Sequence, residues 1–295
     1  MRIAVVGVPQ GESSQQLSEA LAMFTGQRLL IDMSRVRLDL TSGACWFDDI
    51  DMRDLDGVLI KKIGVPYSPA LLDRLQILRH LKAVGVPVFS DPNTIVRLLN
   101  RLSCTVELQM AGIPMPPTII TENMAQAIQA VRQYGRAVLK PLYSTKAAGM
   151  LLLEAQDKDL ELKLKKYQDT HRMFYIQKAL DLQGGMDLSV VFLGQDYLTT
   201  YARVKSRDSW NTTTASGGHY ESYTPALEII ALARRAMDVF KLVFSSVDIA
   251  LSQDGAFVFE VSAFGGFKGI ELTGNLRPAE LLAEFIVNKI ERNKK

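Results

Sequence analysis

The sequence predicts an α/β (α+β) protein, in which a small N-terminal α/β unit precedes a larger part that mixes helices with hairpins. Within residues 1–93, short apolar runs alternate with amphipathic stretches, which favours a mostly parallel sheet covered by helices. After the break at Asp91-Pro92-Asn93, several predicted strands follow one another across glycine-containing turns, as strands of hairpins do. The 295 residues, 47% hydrophobic and 22% charged, suffice for one large domain or two to three smaller ones.

The N-terminal unit is predicted to alternate strands and helices. Its strands, identified by their apolar runs, cover residues 2–8, 28–32, 36–40, 57–60 and 86–89. One helix covers residues 13–24 and the other residues 68–84, where Ser68-Pro69 provides a cap and a proline in the first turn.

The remaining chain is predicted to open with a helix at residues 94–110, ended by Gly112, and a stiff connector containing Pro114, Pro116 and Pro117. Further helices are expected at residues 122–134, 224–240 and 278–290, and strands at residues 136–140, 151–153, 174–180, 188–192 and 197–204. The polar segment 206–223, rich in Gly, Ser and Thr, is expected to be a loop.

A hairpin near the C-terminus is the most informative segment. A three-residue loop, Gln253-Asp254-Gly255, would pair Ser252 with Ala256 and Asp248 with Glu260. Because side chains alternate along a strand, one face of the hairpin is expected to be apolar, made of Val247, Ile249, Leu251, Phe257, Phe259 and Val261.

The other face of this hairpin would carry Asp248, Glu260 and Ser262. Two carboxylates opposite one another repel each other unless a cation lies between them. Carboxylate and hydroxyl oxygens together with a bound phosphate suit Mg²⁺ (or Mn²⁺). An edge hairpin with two solvated acids is the alternative.

Other polar residues could bind phosphates. Lys140 ends an apolar strand and needs an anion, such as a phosphate, unless its head reaches water. The loop that follows contains Ser144, Thr145 and Lys146, and it could fold around phosphates or simply connect two strands.

Two further segments could contact a nucleotide. Residues 177–180 could offer backbone groups to an adenine edge, or they could be an ordinary strand end. Asp187 could meet a ribose hydroxyl or pair with a lysine. Arg203 and Lys205 share one face of a strand and could bind phosphate or carboxylate, or remain solvated.

Composition excludes several classes of protein. A net charge of +2, spread along the chain, implies no nucleic-acid partner. Cys45 and Cys104 cannot form a disulfide framework, and the histidines show no metal-ligand spacing. No segment approaches the ~20 apolar residues of a membrane span. A cytoplasmic protein without a membrane partner is therefore expected.

In this order, a lysine-bearing strand, a Ser/Thr/Gly loop, a hinge strand, an arginine-bearing strand and an acidic hairpin resemble an ATP-grasp enzyme. The likeness is greatest to the RimK-like ligases, which join a carboxylate to an amine using ATP. The segments that carry the resemblance are Ala111-Gly112-Ile113-Pro114-Met115-Pro116, Val138-Leu139-Lys140-Pro141, Tyr175-Ile176-Gln177-Lys178, Gly185-Met186-Asp187, Val247-Asp248-Ile249 and Phe259-Glu260-Val261. The pattern at residues 261–267 also resembles a RimK-related branch, the ATP-grasp component of the so-called GAK system.

The resemblance implies an N-terminal pre-ATP-grasp domain at residues 1–93 and an ATP-grasp domain at residues 94–295, with lobes at residues 94–174 and 175–295. It implies that Arg101, Lys140, Lys146, Gln177, Lys178, Leu180, Asp187, Asn211 and Thr213 contact ATP, that Lys140 and Arg203 are catalytic, and that Asp248, Glu260 and Ser262 hold the metal.

The expected activity is the ATP- and Mg²⁺-dependent joining of a carboxylate to an amine through an acyl phosphate. The acceptor would be an amino acid, a peptide or a protein terminus, and a homo-oligomer is left open. The chain departs from the family at Ser262, where asparagine is usual, at Arg101, where lysine is usual, and at Asn211. Two alternatives therefore stay open: a phosphotransferase, and an ATP-binding regulatory protein with weakened catalysis.

Overall fold

The computed structural model describes residues 1–294, so Lys295, the end of the expected second domain, lies outside the described residues. The N-terminal unit contains β1 (Ile3–Val6), α1 (Glu12–Thr25), β2 (Leu30–Ile31), β3 (Val36–Asp39), β4 (Ala44–Phe47), β5 (Ile50–Asp51), β6 (Gly57–Ile60), α2 (Ala70–Ala83) and β7 (Val88–Phe89).

These strands form two sheets. The four-stranded sheet has the order β2-β1-β6-β7, and its neighbours are parallel, which confirms the predicted parallel sheet. A separate three-stranded antiparallel sheet has the order β3-β4-β5. The sequence analysis missed β4 and β5 because they are short and flank a turn rich in aspartate.

The next part of the chain forms the second unit. It contains α3 (Pro92–Leu99), α4 (Arg101–Met110), β8 (Thr118–Thr121), α5 (Met124–Tyr134), β9 (Arg136–Leu139), β10 (Leu151–Glu154), α6 (Leu160–Gln168) and β11 (Phe174–Lys178). The sheet has the order β10-β9-β11-β8 and is antiparallel. Strand β11, at the start of the expected second lobe, belongs to this sheet, and the division into lobes at residue 174 stays a prediction.

The prediction of a single helix at residues 94–110 is wrong, because the structure has two helices there, α3 and α4. The chain breaks at Asn100, which has extended backbone, and its side chain accepts hydrogen bonds from the N–H groups of Leu102 (2.9 Å) and Ser103 (3.3 Å). Asparagine caps a new helix in this way because its oxygen satisfies free N–H groups. Arg101 therefore lies in the first turn of α4, beside the break.

The third part builds the largest sheet. It contains β12 (Met186–Leu193), β13 (Asp196–Val204), β14 (His219–Ser222), α7 (Leu227–Asp238), β15 (Phe244–Ser252), β16 (Gly255–Val261), α8 (Lys268–Thr273) and α9 (Pro278–Lys294). The five-stranded antiparallel sheet has the order β14-β13-β12-β15-β16. The prediction of a loop at residues 206–223 is wrong at its C-terminal end, where β14 pairs with β13.

The hairpin of β15 and β16 keeps one predicted pair and shifts the others. Asp248 lies opposite Glu260, as predicted, but Ser252 lies opposite Gly255 and Ile249 opposite Val258. A β-bulge absorbs the extra residue, Phe259. Consequently the predicted apolar face is wrong at two positions: Val258 is the residue buried in the core, whereas Phe257 and Phe259 are only partly buried.

Helix α9 packs against α1 and the N-terminal sheet, although the chain separates them by most of its length. Its Leu282, Ile286 and Ile290 are buried in one cluster with Val5 and Leu17. A methyl group added to Gly57 would lie 2.7 Å from Ile290 Cδ1, so a larger residue at this position in β6 would displace the end of that side chain. Among residues 1–294, none of the helices combines the length and apolar character of a membrane span.

Candidate active site

A cleft of about 1000 Å³ lies between the sheet of the second unit and the largest sheet. We call it the first cleft. It is lined by the predicted nucleotide and catalytic residues together with both hairpin acids: Arg101, Lys140, Lys146, Gln177, Lys178, Leu180, Asp187, Arg203, Asn211, Thr213, Asp248 and Glu260. Of the predicted site residues, Ser262 alone is not in its lining.

A larger cleft of about 2020 Å³, which we call the second cleft, adjoins the first. The start of α1 and the loop after β6 line it on the side of the N-terminal unit. Ser262 and residues 263, 264, 266–268 and 271 line it elsewhere. Both clefts share Arg101, Lys146, Arg203, Asp248 and Glu260. The two hairpin acids therefore lie where the clefts meet.

The register of the largest sheet explains how its polar residues converge. Asp187 lies opposite Arg203 on β13, Ser189 lies opposite Asp248 on β15, and Asp248 lies opposite Glu260 on β16. Asp187 and Ser189 are two residues apart on β12, so they share one face. A single polar row thus crosses four strands of the sheet.

Arg203 connects two acids of this row. Its Nη2 lies 2.7 Å from Asp248 Oδ2, and its Nε donates to Asp187 Oδ2 at 3.1 Å. Burial alone would lower the pKa of Arg203, but the charges of Asp187 and Asp248 hold it well above its usual value. Asp187 was predicted to meet a ribose hydroxyl or to pair with a lysine; its partner here is an arginine, and the ribose contact stays a prediction.

Asp248 is buried, and Ser189 Oγ donates to its Oδ1 at 2.7 Å. Burial raises the pKa of Asp248 to about 6; Arg203 opposes this shift, and the charges of Glu260 and Asp187 add to it. The repulsion between Asp248 and Glu260 agrees with the prediction that these two carboxylates lie opposite one another in the hairpin.

Glu260 is paired with Arg101. Arg101 Nη1 donates to Glu260 Oε2 at 3.0 Å, and the same guanidinium donates to Pro141 O and Ser144 Oγ. Arg101 therefore ties the start of α4 both to the loop after β9 and to the hairpin.

Lys140 is buried at the end of β9. Its Nζ donates to Gln177 Oε1 at 2.5 Å and lies 5.0 Å from the centre of the Phe259 ring. Burial, together with the charge of Arg101, lowers the pKa of Lys140 to about 7, although Glu260 and Asp187 oppose the shift. A bound anion would favour the protonated form.

The amide of Gln177 is fully engaged. It accepts from Lys140, and its Nε2 donates to Thr118 Oγ1 at 3.0 Å. Any contact of Gln177 with an adenine edge would therefore use backbone groups, as the sequence analysis expected. Lys178 and Leu180 line the same end of the first cleft.

Two loops close the first cleft. In the loop after β9, Lys146 and Ala147 have positive φ angles of 55° and 56°. In the loop after β13, Asn211 Oδ1 accepts from the N–H (3.1 Å) and the hydroxyl (2.7 Å) of Thr213. Asn211 thus stabilises its own loop.

The oxygen atoms at the junction fit a divalent cation of the Mg²⁺ type. Two carboxylates repel each other across the hairpin, and the Ser262 hydroxyl lies in the adjoining cleft; these are hard oxygen donors. In the part of the chain that the structure describes, no group of three His, Cys, Asp or Glu side chains could hold a metal alone. The donor set therefore suits an ion that also binds phosphate oxygens.

Two lysines that follow β6 were missed by the sequence analysis. Lys61 is buried, donates to Gly265 O and lies 3.7 Å from the centre of the Phe267 ring. Lys62 is partly buried and lines the second cleft. Both follow an apolar strand, as Lys140 does, and this is the sequence signal that identifies them.

Comparison with known proteins gives a consistent result. The model of the RimK-like ATP-grasp domain matches residues 99–286, more than half of the chain. A tetrahydromethanopterin:alpha-L-glutamate ligase of Methanosarcina acetivorans is 26% identical over 271 residues, 81% of this chain and 82% of that relative. A probable alpha-L-glutamate ligase of Azotobacter vinelandii is 25% identical over 296 residues, 99% of this chain and 97% of that relative.

The fold is also found among solved structures. The ATP-grasp ligase PsnB, in complex with a phosphomimetic variant of its minimal precursor, Mg and ADP, has a TM-score of 0.77. The sequences are 19% identical, and the alignment covers 98% of each chain. At this identity the likeness shows the fold, and it confirms the predicted architecture.

Proposed function

The chain belongs to the RimK-like ATP-grasp family, and from this membership we propose that it is an ATP- and Mg²⁺-dependent ligase joining a carboxylate to an amine. The curated relatives are glutamate ligases, and the PsnB complex contains Mg and ADP, which supports the same reaction class and the same cosubstrates here. The acceptor, whether amino acid, peptide or protein terminus, is left open.

One observation carries the proposal: two clefts meet at Asp248 and Glu260, with Arg203 at the junction. A ligase of this kind needs one site for the nucleotide and another for the acceptor, in contact at the phosphoryl group that moves. The first cleft offers Lys140 to phosphates, Lys146 lines both clefts, and the second cleft has room for an acceptor.

The chain's own residues have separate tasks in this reaction. A carboxylate oxygen of the acceptor attacks the γ-phosphorus of ATP, the bond to the β-phosphate oxygen breaks, and ADP leaves with that electron pair. Arg203 and Lys140 stabilise the negative charge that builds up on the transferring group. Mg²⁺ held by Asp248 and Glu260, with Ser262 nearby, would neutralise phosphate charge when bound.

In the second step, the amine attacks the carbonyl carbon of the acyl phosphate, phosphate leaves, and the amine loses a proton. No side-chain nucleophile takes part. Cys104 lines the second cleft, but burial raises its pKa to about 12, so it is not a thiolate near neutral pH.

An acceptor screen tests the proposal. Release of ADP and phosphate is measured with mixtures of acids, amino acids and peptides, and hydroxylamine is added to trap the acyl phosphate as a hydroxamate. We expect ADP release to require a carboxylate and an amine to accelerate it. Turnover with a hydroxyl acceptor and no hydroxamate would instead identify a phosphotransferase. Tight ATP binding without turnover would identify a regulatory protein.

A further inference from the structure

Lys62 and Lys146 place two positive charges in the lining of the second cleft. Burial lowers the pKa of Lys62, and the positive charge of Lys146 adds to that shift. Within residues 1–294, neither side chain forms a hydrogen bond or an ion pair with another residue. An anion bound between them would relieve this repulsion.

The backbone holds Lys62 firmly in this place. The N–H groups of Lys61 and Lys62 both donate to the carbonyl of Val6, at 2.9 and 3.1 Å, so the chain turns sharply after β6. The adjacent lysines then go to different partners: Lys61 reaches Gly265 O, and Lys62 faces the second cleft. The position of Lys62 is thus fixed by its backbone hydrogen bond and by the anchored side chain of Lys61.

The position of the pair relative to the two clefts indicates which anion it suits. Lys146 lines both clefts, whereas Lys62 lines only the second. An anion held by both therefore lies in the second cleft, whose lining does not include Gln177.

We infer that Lys62 and Lys146 together hold the acceptor carboxylate that receives the phosphoryl group, so the N-terminal unit supplies a substrate-binding residue. This inference rests on the proposed ligase function. The carboxylate gains a bond to phosphorus and becomes an acyl phosphate with more negative charge, which two ammonium groups partly neutralise.

Pyridoxal 5′-phosphate, an anionic aldehyde that forms an imine with lysine, tests the anion site without turnover. The protein is saturated with Mg²⁺ and AMPPNP, labelled, reduced with borohydride and mapped by mass spectrometry. We expect labelling of Lys62 that inorganic phosphate suppresses, and about tenfold weaker labelling in Lys146→Met, as for the loss of one contact of about 1.4 kcal/mol.

Two controls separate anion binding from other causes. Pyridoxal, which lacks the phosphate, should not label Lys62 preferentially, because a lowered pKa alone would make Lys62 reactive toward either aldehyde. Lys268→Met, a change elsewhere in the lining of the second cleft, should leave labelling of Lys62 unchanged. Equal labelling by both aldehydes, or complete protection by nucleotide alone, would overturn the inference.

Kinetics then identify the anion as the acceptor carboxylate. With the acid found in the acceptor screen, Lys62→Met should raise the KM for that acid at least about tenfold and change the KM for ATP less than about twofold. Lys62→Arg should recover part of the loss. An unchanged acid KM during normal turnover would overturn the inference and leave the ligase function standing. A failed screen with the expected labelling would instead contradict the ligase function.

Discussion

Arg203 on β13 and Asp248 on β15 form an ion pair of 2.7 Å, although β12 lies between their strands in the sheet. Arg203 reaches across because Asp187, directly opposite it on β12, holds the other part of its guanidinium group. The same arginine therefore contacts a candidate metal ligand and lies at the junction of the two clefts. Its positive charge therefore acts both on the candidate metal ligand and on groups bound in the two clefts.

Replacing Arg203 should impair the chemical step more than nucleotide binding. We expect Arg203→Ala to lower kcat by about 10²–10³-fold, with a smaller change in ATP affinity, because the guanidinium acts mainly on charge in the transition state. Steady-state kinetics and calorimetry of ATP binding measure the two effects.

The same change leaves Asp187 and Asp248 without their partner, so a thermal melt must accompany the kinetics. Arg203→Lys keeps a positive charge and should retain the fold, while losing the paired contacts of the guanidinium. Arg277→Ala, which removes an exposed ion pair of 3.1 Å with Glu280, is the matched control. Equal losses of kcat in all three variants would contradict a specific role for Arg203.

The junction acids should be required for metal binding. We expect Asp248→Asn and Glu260→Gln each to weaken binding of Mn²⁺ in the presence of ADP by at least about tenfold, because each removes a charged oxygen donor. Electron paramagnetic resonance of free Mn²⁺ measures this directly.

Both variants should stay folded, because each arginine retains other hydrogen bonds. Arg203 still donates to Asp187, and Arg101 still donates to Pro141 O and Ser144 Oγ. Glu271→Gln, an acid of the second cleft outside the hairpin, should bind Mn²⁺ like the unchanged protein. Undiminished Mn²⁺ binding in Asp248→Asn would remove the metal site from the hairpin.

Nucleotide binding should be accompanied by proton uptake at Lys140. Because the pKa of Lys140 is lowered to about 7 in the folded protein, this lysine is largely neutral at pH 8, and a bound phosphate would restore its charge. Calorimetry of ATP binding in buffers of different ionisation enthalpy measures the uptake. It should diminish in Lys140→Met and disappear near pH 6, where Lys140 is already protonated; uptake unchanged in Lys140→Met would assign it to other groups.

The same lowered pKa affects stability without nucleotide. Between about pH 7 and 10.5, the unfolded chain binds the proton of Lys140 more tightly than the folded protein does. The contribution of this group to the free energy of unfolding therefore rises with pH across that window and is constant above it. Urea unfolding at several pH values should show a smaller rise in Lys140→Met; equal slopes for the two proteins would contradict a buried lysine.

ATP with Mg²⁺ should stabilise the fold. A ligand at 100 times its Kd that binds only the native state adds about 2.7 kcal/mol to the free energy of unfolding. For a chain of this size we expect a rise in Tm of roughly 4 °C. Lys140→Ala should lose much of that rise, and a melt unaffected by ATP in the unchanged protein would contradict nucleotide binding altogether.

Local sequence patterns predicted many of the elements, but not β4, β5, β8, β14, α6 or α8. They also singled out Lys140, Asp187 and Arg203 in the lining of the first cleft. Asp248 and Glu260 could be paired from the hairpin, even though the bulge at Phe259 was not foreseen. The turn shifts the pairing of the two strands by one residue from the predicted register, and the extra residue in the bulge shifts it back. Asp248 therefore still lies opposite Glu260. Nothing in local periodicity distinguishes Phe259 from Val258, since tertiary packing decides which of them enters the core.

Other features depend on contacts distant in sequence. The break at Asn100 follows from a capping hydrogen bond that competes with a continuous helix, and the apolar pattern on both sides hides it. Lys62 lies far from Lys146 in the chain, so their convergence required the fold. The place of β11 in its sheet likewise depends on pairing with β8 and β9, which a linear division into lobes cannot show.

The packing of α9 against α1 bears on how the chain is made in the cell. During synthesis the strands of the N-terminal sheet emerge first, yet the apolar residues that cover Val5 and Leu17 belong to α9, the last described helix. Until α9 has been made, Val5 and Leu17 therefore lack part of the apolar surface that covers them in the folded protein, and the N-terminal unit cannot reach its final packing.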